Sequence, residues 1–221
     1  MSDPVRVLVV DDLRISRSFF EMYVRSSPRY TLAGSLSAAG EALGFCEQNA
    51  VDLVLMDVMM RAGVDGLTAA AQLKERFPAV KIILCTSAAE ASGEERARQA
   101  GAESFWYKEY SAQTLLEVMD RTVAGESVYP DQAPDVPFGN TTRANLTERE
   151  LDVLRELTSG YTNEEIAGRL GITVNTVRYH IQNMLNKTGF ENRLDLAINA
   201  KALWLVVSDQ DLAAGGPPGN G

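Results

Sequence analysis

Asp57 closes the run Val51-Asp52-Leu53-Val54-Leu55-Met56-Asp57. Leu53 to Met56 is continuously apolar and short enough for a buried strand. A charge at its end reads in two ways: as the N-cap of a following helix, or as a carboxylate at the C-terminal mouth of a parallel strand, where open α/β sheets place their chemistry. Four more polar residues share this situation. Asp11 and Asp12 follow the apolar run Val5–Val10, Thr86 follows Lys81–Cys85, and Lys108 follows Ser104–Tyr107. Parallel strands in register would bring all five to one edge. Three crowded carboxylates raise one another's pKa unless a cation joins them. An oxygen-only ligand set suits Mg²⁺, which keeps several waters and readily takes a phosphate. Lys108 could then pair with a carboxylate and with a phosphoryl oxygen, and Thr86 could hydrogen-bond another such oxygen. The chemistry implied is a phosphoryl group held against a metal, with a carboxylate as nucleophile. The first turn is Asp-Asp and not Gly-rich, which disfavours flavin or dinucleotide binding.

The elements that must position these residues alternate. After the first strand a helix is expected over about Leu13–Arg25, then a strand near Thr31–Gly34 and a helix near Ala38–Gln48. The Asp57 strand precedes a helix over about Gly66–Phe77, which Pro78 stops. The strand Lys81–Cys85, a helix over Ala91–Ala100, the strand Ser104–Tyr107 and a helix over Ala112–Val123 complete the series. Five strands alternating with five helices predict a doubly wound parallel sheet, with the flavodoxin-like strand order the common one. Residues 1–124 form this first domain. Residues 125–145, with Pro130, Pro134 and Pro137, read as a semi-extended linker.

From Leu146 the pattern is helical only. Thr147 and Glu150 form a capping box for a helix running to about Ser159. A second helix begins after Thr162 and turns at Gly171, a third spans Val174–Lys187, and a fourth spans about Leu194–Leu205. A short helix, a Gly-containing turn and a longer helix make a helix-turn-helix, here over residues 146–207. On the third helix Val177, Ile181 and Leu185 are expected to face the core, which leaves Asn175, Arg178, Tyr179 and Gln182 outward. In a major groove, Arg178 could read guanine and Gln182 adenine. Thr173 or Asn175 at the helix start could donate to a phosphate, and Lys187 could reach one from its end. Each of these also has a plain reading as a solvated surface residue. Residues 208–221 read as a disordered tail.

Charge bears on the partner. The chain has 221 residues and a formal net charge of -9. Residues 1–130 hold 13 basic and 18 acidic side chains, whereas residues 143–207 hold eight of each. A nucleic-acid contact is therefore expected in the C-terminal part. Cys46 and Cys85 lie in apolar surroundings with no disulfide or zinc spacing, which suits a reducing cytoplasm. No apolar run approaches the length of a membrane span.

The set Asp11-Asp12, Asp57, Thr86 and Lys108 resembles the receiver domain of two-component response regulators. The stretch Leu146 to Ile181, with Thr147-Glu148-Arg149-Glu150 and Leu170-Gly171-Ile172-Thr173-Val174-Asn175-Thr176-Val177-Arg178, resembles the LuxR-type helix-turn-helix. Together they resemble the NarL/FixJ family. The resemblance implies Asp57 as phosphoacceptor. It implies Mg²⁺ held by Asp11, Asp12, Asp57 and the backbone carbonyl of Met59, with Thr86 and Lys108 contacting the phosphoryl group. Phe105 falls at the family's aromatic switch position, where core packing is the competing reading. A sensor histidine kinase, double-stranded promoter DNA, RNA polymerase and a second copy of the chain are the implied partners, and the chemistry is a switch, not an enzyme. One departure stands out. Met60 is followed by Arg61 where proline is usual, and Asp65-Gly66 arrives one residue late, so the loop from Met59 to Gly66 is expected to be longer and looser. Two rivals remain: a regulator that never uses phosphate, and a metal-dependent phosphatase, which would want an acid two residues after its nucleophile where Met59 or Arg14 stands.

Overall fold

The computed structural model describes residues 3–60, 63–87, 92–109, 111, 113–131 and 134–207. These separate into two compact units, the first ending at residue 131 and the second starting at residue 134. The expected tail, residues 208–221, lies outside the described residues.

In the first unit, strands β1 (Val5–Val10), β2 (Tyr30–Leu36), β3 (Leu53–Asp57), β4 (Lys81–Thr86) and β5 (Ser104–Tyr107) form one parallel sheet in the order β2-β1-β3-β4-β5. That is the flavodoxin-like order expected. Apart from the edge strand β2, its strands are largely buried on both faces and read as apolar runs. Successive side chains alternate between two cores. Leu8, Val10, Val54, Met56, Ile82, Leu84 and Phe105 point to one, against α2 (Ala42–Gln48), α3 (Gly66–Arg76) and α4 (Ser92–Gln99). Val7, Val9, Leu53, Leu55, Ile83 and Trp106 point to the other, against α1 (Arg14–Arg25) and α5 (Leu115–Val123).

Helix starts differ from expectation where local bonds decide them. Helix α5 begins at Leu115, not Ala112, because Thr114 caps it: the Thr114 hydroxyl accepts from the Glu117 N–H, and the Glu117 carboxylate accepts from the Thr114 N–H. Helix α2 is preceded by a separate 3₁₀ turn over Ala39–Glu41. Helix α4 was expected from Ala91, a residue outside those described.

The second unit contains α6 (Glu148–Thr158), α7 (Asn163–Leu170), α8 (Val174–Thr188) and α9 (Arg193–Ala202). Capping boxes at Thr147/Glu150 and Thr162/Glu165 start α6 and α7. Gly171 and Gly189 end α7 and α8 in the left-handed conformation, at φ 63° and 73°. The inward line of α8 is Val177, Ile181, Met184 and Thr188. Leu185, expected on that line, is only partly buried, because the buried stripe follows spacings of four, three and four residues rather than a strict four.

Residues 125–145 are not a uniform semi-extended connection. At the near end Val128 is buried with the α1/α5 core. Its carbonyl accepts from the Phe105 N–H at 2.9 Å, and its N–H donates to the Ser104 hydroxyl at 3.1 Å. The Tyr129 hydroxyl donates to the Ala102 carbonyl at 2.7 Å. At the far end β6 (Pro137–Phe138) and β7 (Thr141–Thr142) form an antiparallel hairpin, and Val136 and Phe138 are buried in the core of the second unit.

Candidate functional site

Register assembles the site. Val10 lies beside Met56, Asp57 beside Cys85, and Thr86 beside Tyr107. The residues that leave the sheet after these pairs therefore meet at one edge. One carboxylate oxygen from each of Asp11, Asp12 and Asp57 lies within 4.8 Å of the others. Asp11, Asp57 and Thr86 are buried, and Asp12 is half-buried. The Lys108 ammonium bridges two of the acids, at 2.6 Å from Asp11 Oδ2 and 2.8 Å from Asp57 Oδ1. The Lys108 N–H donates to the Thr86 carbonyl at 2.8 Å, which fixes the start of the lysine stem. The Phe20 ring lies 5.3 Å below the ammonium.

Burial raises the Asp57 carboxyl to about 7; Lys108 opposes this, and Asp11 and Asp12 add to it. Burial works against the Lys108 charge, but the Asp57 and Asp11 carboxylates outweigh it and hold the ammonium protonated well above the ordinary lysine range. Lys108 thus sets a single positive charge directly against two of the three crowded acids, Asp11 and Asp57. An all-oxygen cluster with a half-exposed member fits a hard divalent ion such as Mg²⁺. Met59 is half-buried two residues beyond Asp57.

Three contributors had escaped the sequence reading. Ser16 donates to Asp11 Oδ2 and accepts from Lys108 Nζ at 3.1 Å, so it belongs to the same hydrogen-bonded group. Arg17 donates to the Asp11 carbonyl at 2.7 Å. Both sit on the first turn of α1, five and six residues after Asp11, where a helix entering from the strand mouth turns back over it. The third is Gly66. Asp65 is the N-cap of α3, accepting from the Thr68 N–H at 2.9 Å, and Gly66 packs directly on the Asp57 backbone: a Cβ there would stand 1.9 Å from the Asp57 carbonyl oxygen. Whatever the extra residue does to the loop, whose residues 61–62 are not described, its far end is pinned to the end of β3.

Phe105 is buried in the core. It meets Tyr107 edge to face at 5.0 Å and lies parallel to Tyr129 at 6.4 Å, and the Arg98 guanidinium stands 3.6 Å over the Tyr129 ring.

In the second unit, α8 presents Asn175, Arg178, Tyr179 and Gln182 on its exposed side. Tyr179 is 63% exposed, high for so large a ring. Thr173 is the N-cap of α8, and its hydroxyl accepts from the Thr176 N–H at 3.1 Å. Lys187 corrects the expectation made for it. Its ammonium is held inside the unit, 2.7 Å from the buried Glu150 carboxylate and 2.9 Å from the Asn145 carbonyl. A phosphate contact would have to share the ammonium with this pair, and giving up the pair would strand the buried Glu150 charge. Lys187→Met is therefore expected to destabilise the second unit by about 2 kcal/mol, read as a lower denaturation midpoint; an unchanged midpoint would leave Lys187 free for DNA. Burial raises the Glu150 carboxyl, but Lys187 and the Thr147 N–H together bring it below the ordinary value. The pair's stabilisation is thus present above about pH 4.5 and is lost as pH falls through the lowered value.

Helix α9 buries Leu196 and Ala200 and leaves Leu194 and Ile198 exposed. Leu205, expected as the last residue of this helix, lies beyond its end at Ala202 and is buried in the core. No helix among the described residues is long and apolar enough to cross a membrane.

Comparison with known proteins agrees with this division. Residues 7–120 match the response regulator receiver domain, and residues 144–200 match the luxR family of bacterial regulatory proteins. The chain is 32% identical over 201 residues to the response regulator protein VraR of Staphylococcus aureus, an alignment covering 89% of this chain and 96% of that one. In fold it is similar to the two-component response regulator RcsB solved as a DNA complex, with a TM-score of 0.61, 18% identity, and 90% and 99% of the two chains covered. It is also similar to RcsB of Salmonella typhimurium, with a TM-score of 0.55, 18% identity, and 91% and 100% covered. The chain belongs to the response regulators, and joins a receiver domain to a LuxR-type DNA-binding domain of the kind that regulates transcription.

Proposed function

We propose that phosphorylation of Asp57 controls pairing of the chain and its binding to promoter DNA. The observation that carries this reading is the convergence of Asp11, Asp12 and Asp57 within 4.8 Å under the Lys108 ammonium, in a chain that ends in a DNA-binding domain. A sensor histidine kinase or a small acyl phosphate is the donor. An Asp57 carboxylate oxygen forms a bond to phosphorus as the donor's bond to phosphorus breaks. Asp11, Asp12, Asp57 and the Met59 carbonyl would hold Mg²⁺, which when bound neutralises carboxylate and phosphoryl charge. Lys108 moves from sharing its protons between two carboxylates to pairing with a phosphoryl oxygen, and the Thr86 hydroxyl meets another. The added charge redistributes the contacts of the β4 and β5 ends, and Phe105, two residues before the edge, carries the change to the Tyr129 stack. Beside this edge α1 exposes Ile15, Phe19 and Met22, spaced four and three apart on one side. That gives a docking donor an apolar face next to Asp57.

The DNA-binding domain reads duplex DNA with α8: Arg178, Tyr179 and Gln182 toward bases, Asn175 and Thr173 toward backbone. Leu194 and Ile198 on α9 pair two copies, and two linked heads bind far better than one near-neutral head. RNA polymerase is the further partner of the bound dimer. The chain acts as a switch in the cytoplasm, without turnover of a substrate.

Asp57→Asn tests the reading. Treatment of the unaltered protein with acetyl phosphate and Mg²⁺ is expected to raise its affinity for promoter DNA and its dimer fraction, and the variant should show neither response. Equal gains in both proteins would sink the switch.

A further inference from the structure

The β6–β7 hairpin lies outside the luxR-family match, which begins at residue 144, yet its contacts converge on the last residues of α8. Its two-residue turn is Gly139-Asn140, with Gly139 at φ 62°, the left-handed conformation that such tight hairpins demand of a glycine. The Asn140 N–H donates to the Thr188 carbonyl at 2.8 Å, one of the terminal carbonyls that a helix leaves without an internal partner. The fit is close on both sides. A Cβ on Gly139 would stand 2.2 Å from the Thr188 carbonyl oxygen, and one on Gly189 would stand 2.2 Å from Asn140 Nδ2. Beneath the turn the Phe138 ring, fully buried, meets Phe190 edge to face at 5.1 Å. Beside it Lys187 ties to Asn145 and Glu150. Residues 187–190 are thus held from one side by the segment that leads in from the receiver.

We propose that the Gly139–Asn140 turn is a positioning element for α8: it sets the angle at which this helix meets DNA. The inference rests on the reading of α8 as the recognition helix. Arg178 lies ten residues from Thr188, about 15 Å along the helix axis. At that distance a tilt of roughly 4° at the held end moves the reading side chains by about 1 Å, enough to spoil a base contact of bidentate geometry. Charge is untouched by such a tilt, so binding to phosphates in general is untouched as well.

The test uses the full chain, a duplex selected from a random pool by the unaltered protein, and an unselected duplex of equal length. Gly139→Ala strains a positive φ and drives a methyl group into the Thr188 carbonyl. Gly160→Ala strains a positive φ of 84° with nothing within 4 Å of the new methyl group, and serves as the control. Gly139→Ala is expected to weaken binding to the selected duplex about ten-fold or more, the scale of one lost base-pair contact, and to leave the unselected duplex unchanged. Gly160→Ala should lower the melting midpoint and keep the ratio of the two affinities. A merely structural role for the turn would reduce both affinities together; an unchanged ratio in Gly139→Ala overturns the proposal. Should that variant fail to melt cooperatively, Asn140→Ala, which keeps the backbone donor and removes the side chain over Gly189, is expected to lower the ratio about three-fold, and an unaltered ratio there also overturns it. The underlying reading fails separately: Arg178→Ala and Gln182→Ala would then leave the selected duplex fully bound.

Discussion

Gly66→Ala is expected to slow phosphorylation of Asp57 by acetyl phosphate about a hundred-fold, the scale at which ångström displacement of a reacting group costs rate. The new methyl carbon would stand 1.9 Å from the Asp57 carbonyl oxygen, 2.9 Å from its carbonyl carbon and 3.0 Å from Val58 Cα. All three are backbone atoms, so no rotamer change relieves the clash. Either the end of β3 or the start of α3 must move by more than an ångström. The end of β3 carries Asp57, whose carboxylate lies 2.8 Å from the Lys108 ammonium. The start of α3 is tied to β3 by the Gly66 N–H, which donates to the Val58 carbonyl at 3.2 Å. Overpacking of this kind also destabilises, by about 1–3 kcal/mol. The phosphorylated fraction over time, read by intact mass, checks the first effect, and a denaturation curve checks the second. Gly44→Ala, in the interior of α2 with open space around it, is the control and should gain stability. Equal phosphorylation rates for Gly66→Ala and the unaltered protein would show that the loop end does not set the position of Asp57.

Phe138→Ala should have the largest effect on the second unit. The ring is completely buried, packs edge to face on Phe190 and sits in one cluster with Val136, Leu146 and Leu205. Truncating a buried phenylalanine costs about 3–5 kcal/mol. For a unit of this size that lowers its melting temperature by roughly 15 °C or more. Calorimetry is expected to show the transition of the second unit shifted or lost and that of the receiver in place. If residues 125–145 only joined two domains, neither transition would move.

That contrast marks where the sequence was legible. The receiver site could be read because four of the strands are largely apolar runs that stop at polar residues, two acids after the first and one residue after each of the others, so five positions shared a signature although far apart in the chain. The helices of the second unit could be read because Thr147 and Glu150 mark a start and Gly171 and Gly189 mark stops. Phe138 could not be read. Strands of two residues are too short to show periodicity, and Pro134 and Pro137 give the stretch the composition of a spacer. Lys187 was misread for another reason: a basic residue at the end of an outward-facing helix looks available, and its partner Glu150 lies 37 residues away, beyond any local pattern. Ser16 and Gly66 sit between these cases. Their types carry no signal alone, and their roles appear only once α1 and α3 are placed over the strand ends.

The contacts of Val128 and Tyr129 with β5 bear on where this protein can be divided. β5 is the edge strand of the sheet, and without these contacts its Phe105 N–H would be open and one face of the Phe105 ring uncovered. Exposed edges of that kind are templates for pairing with other chains. A receiver fragment ending at residue 124, where the helical pattern stops, would carry such an edge and tend to self-associate through it. That association would be easily mistaken for signalling. A fragment reaching residue 131 keeps the cover, and its state of association would report on the intact receiver.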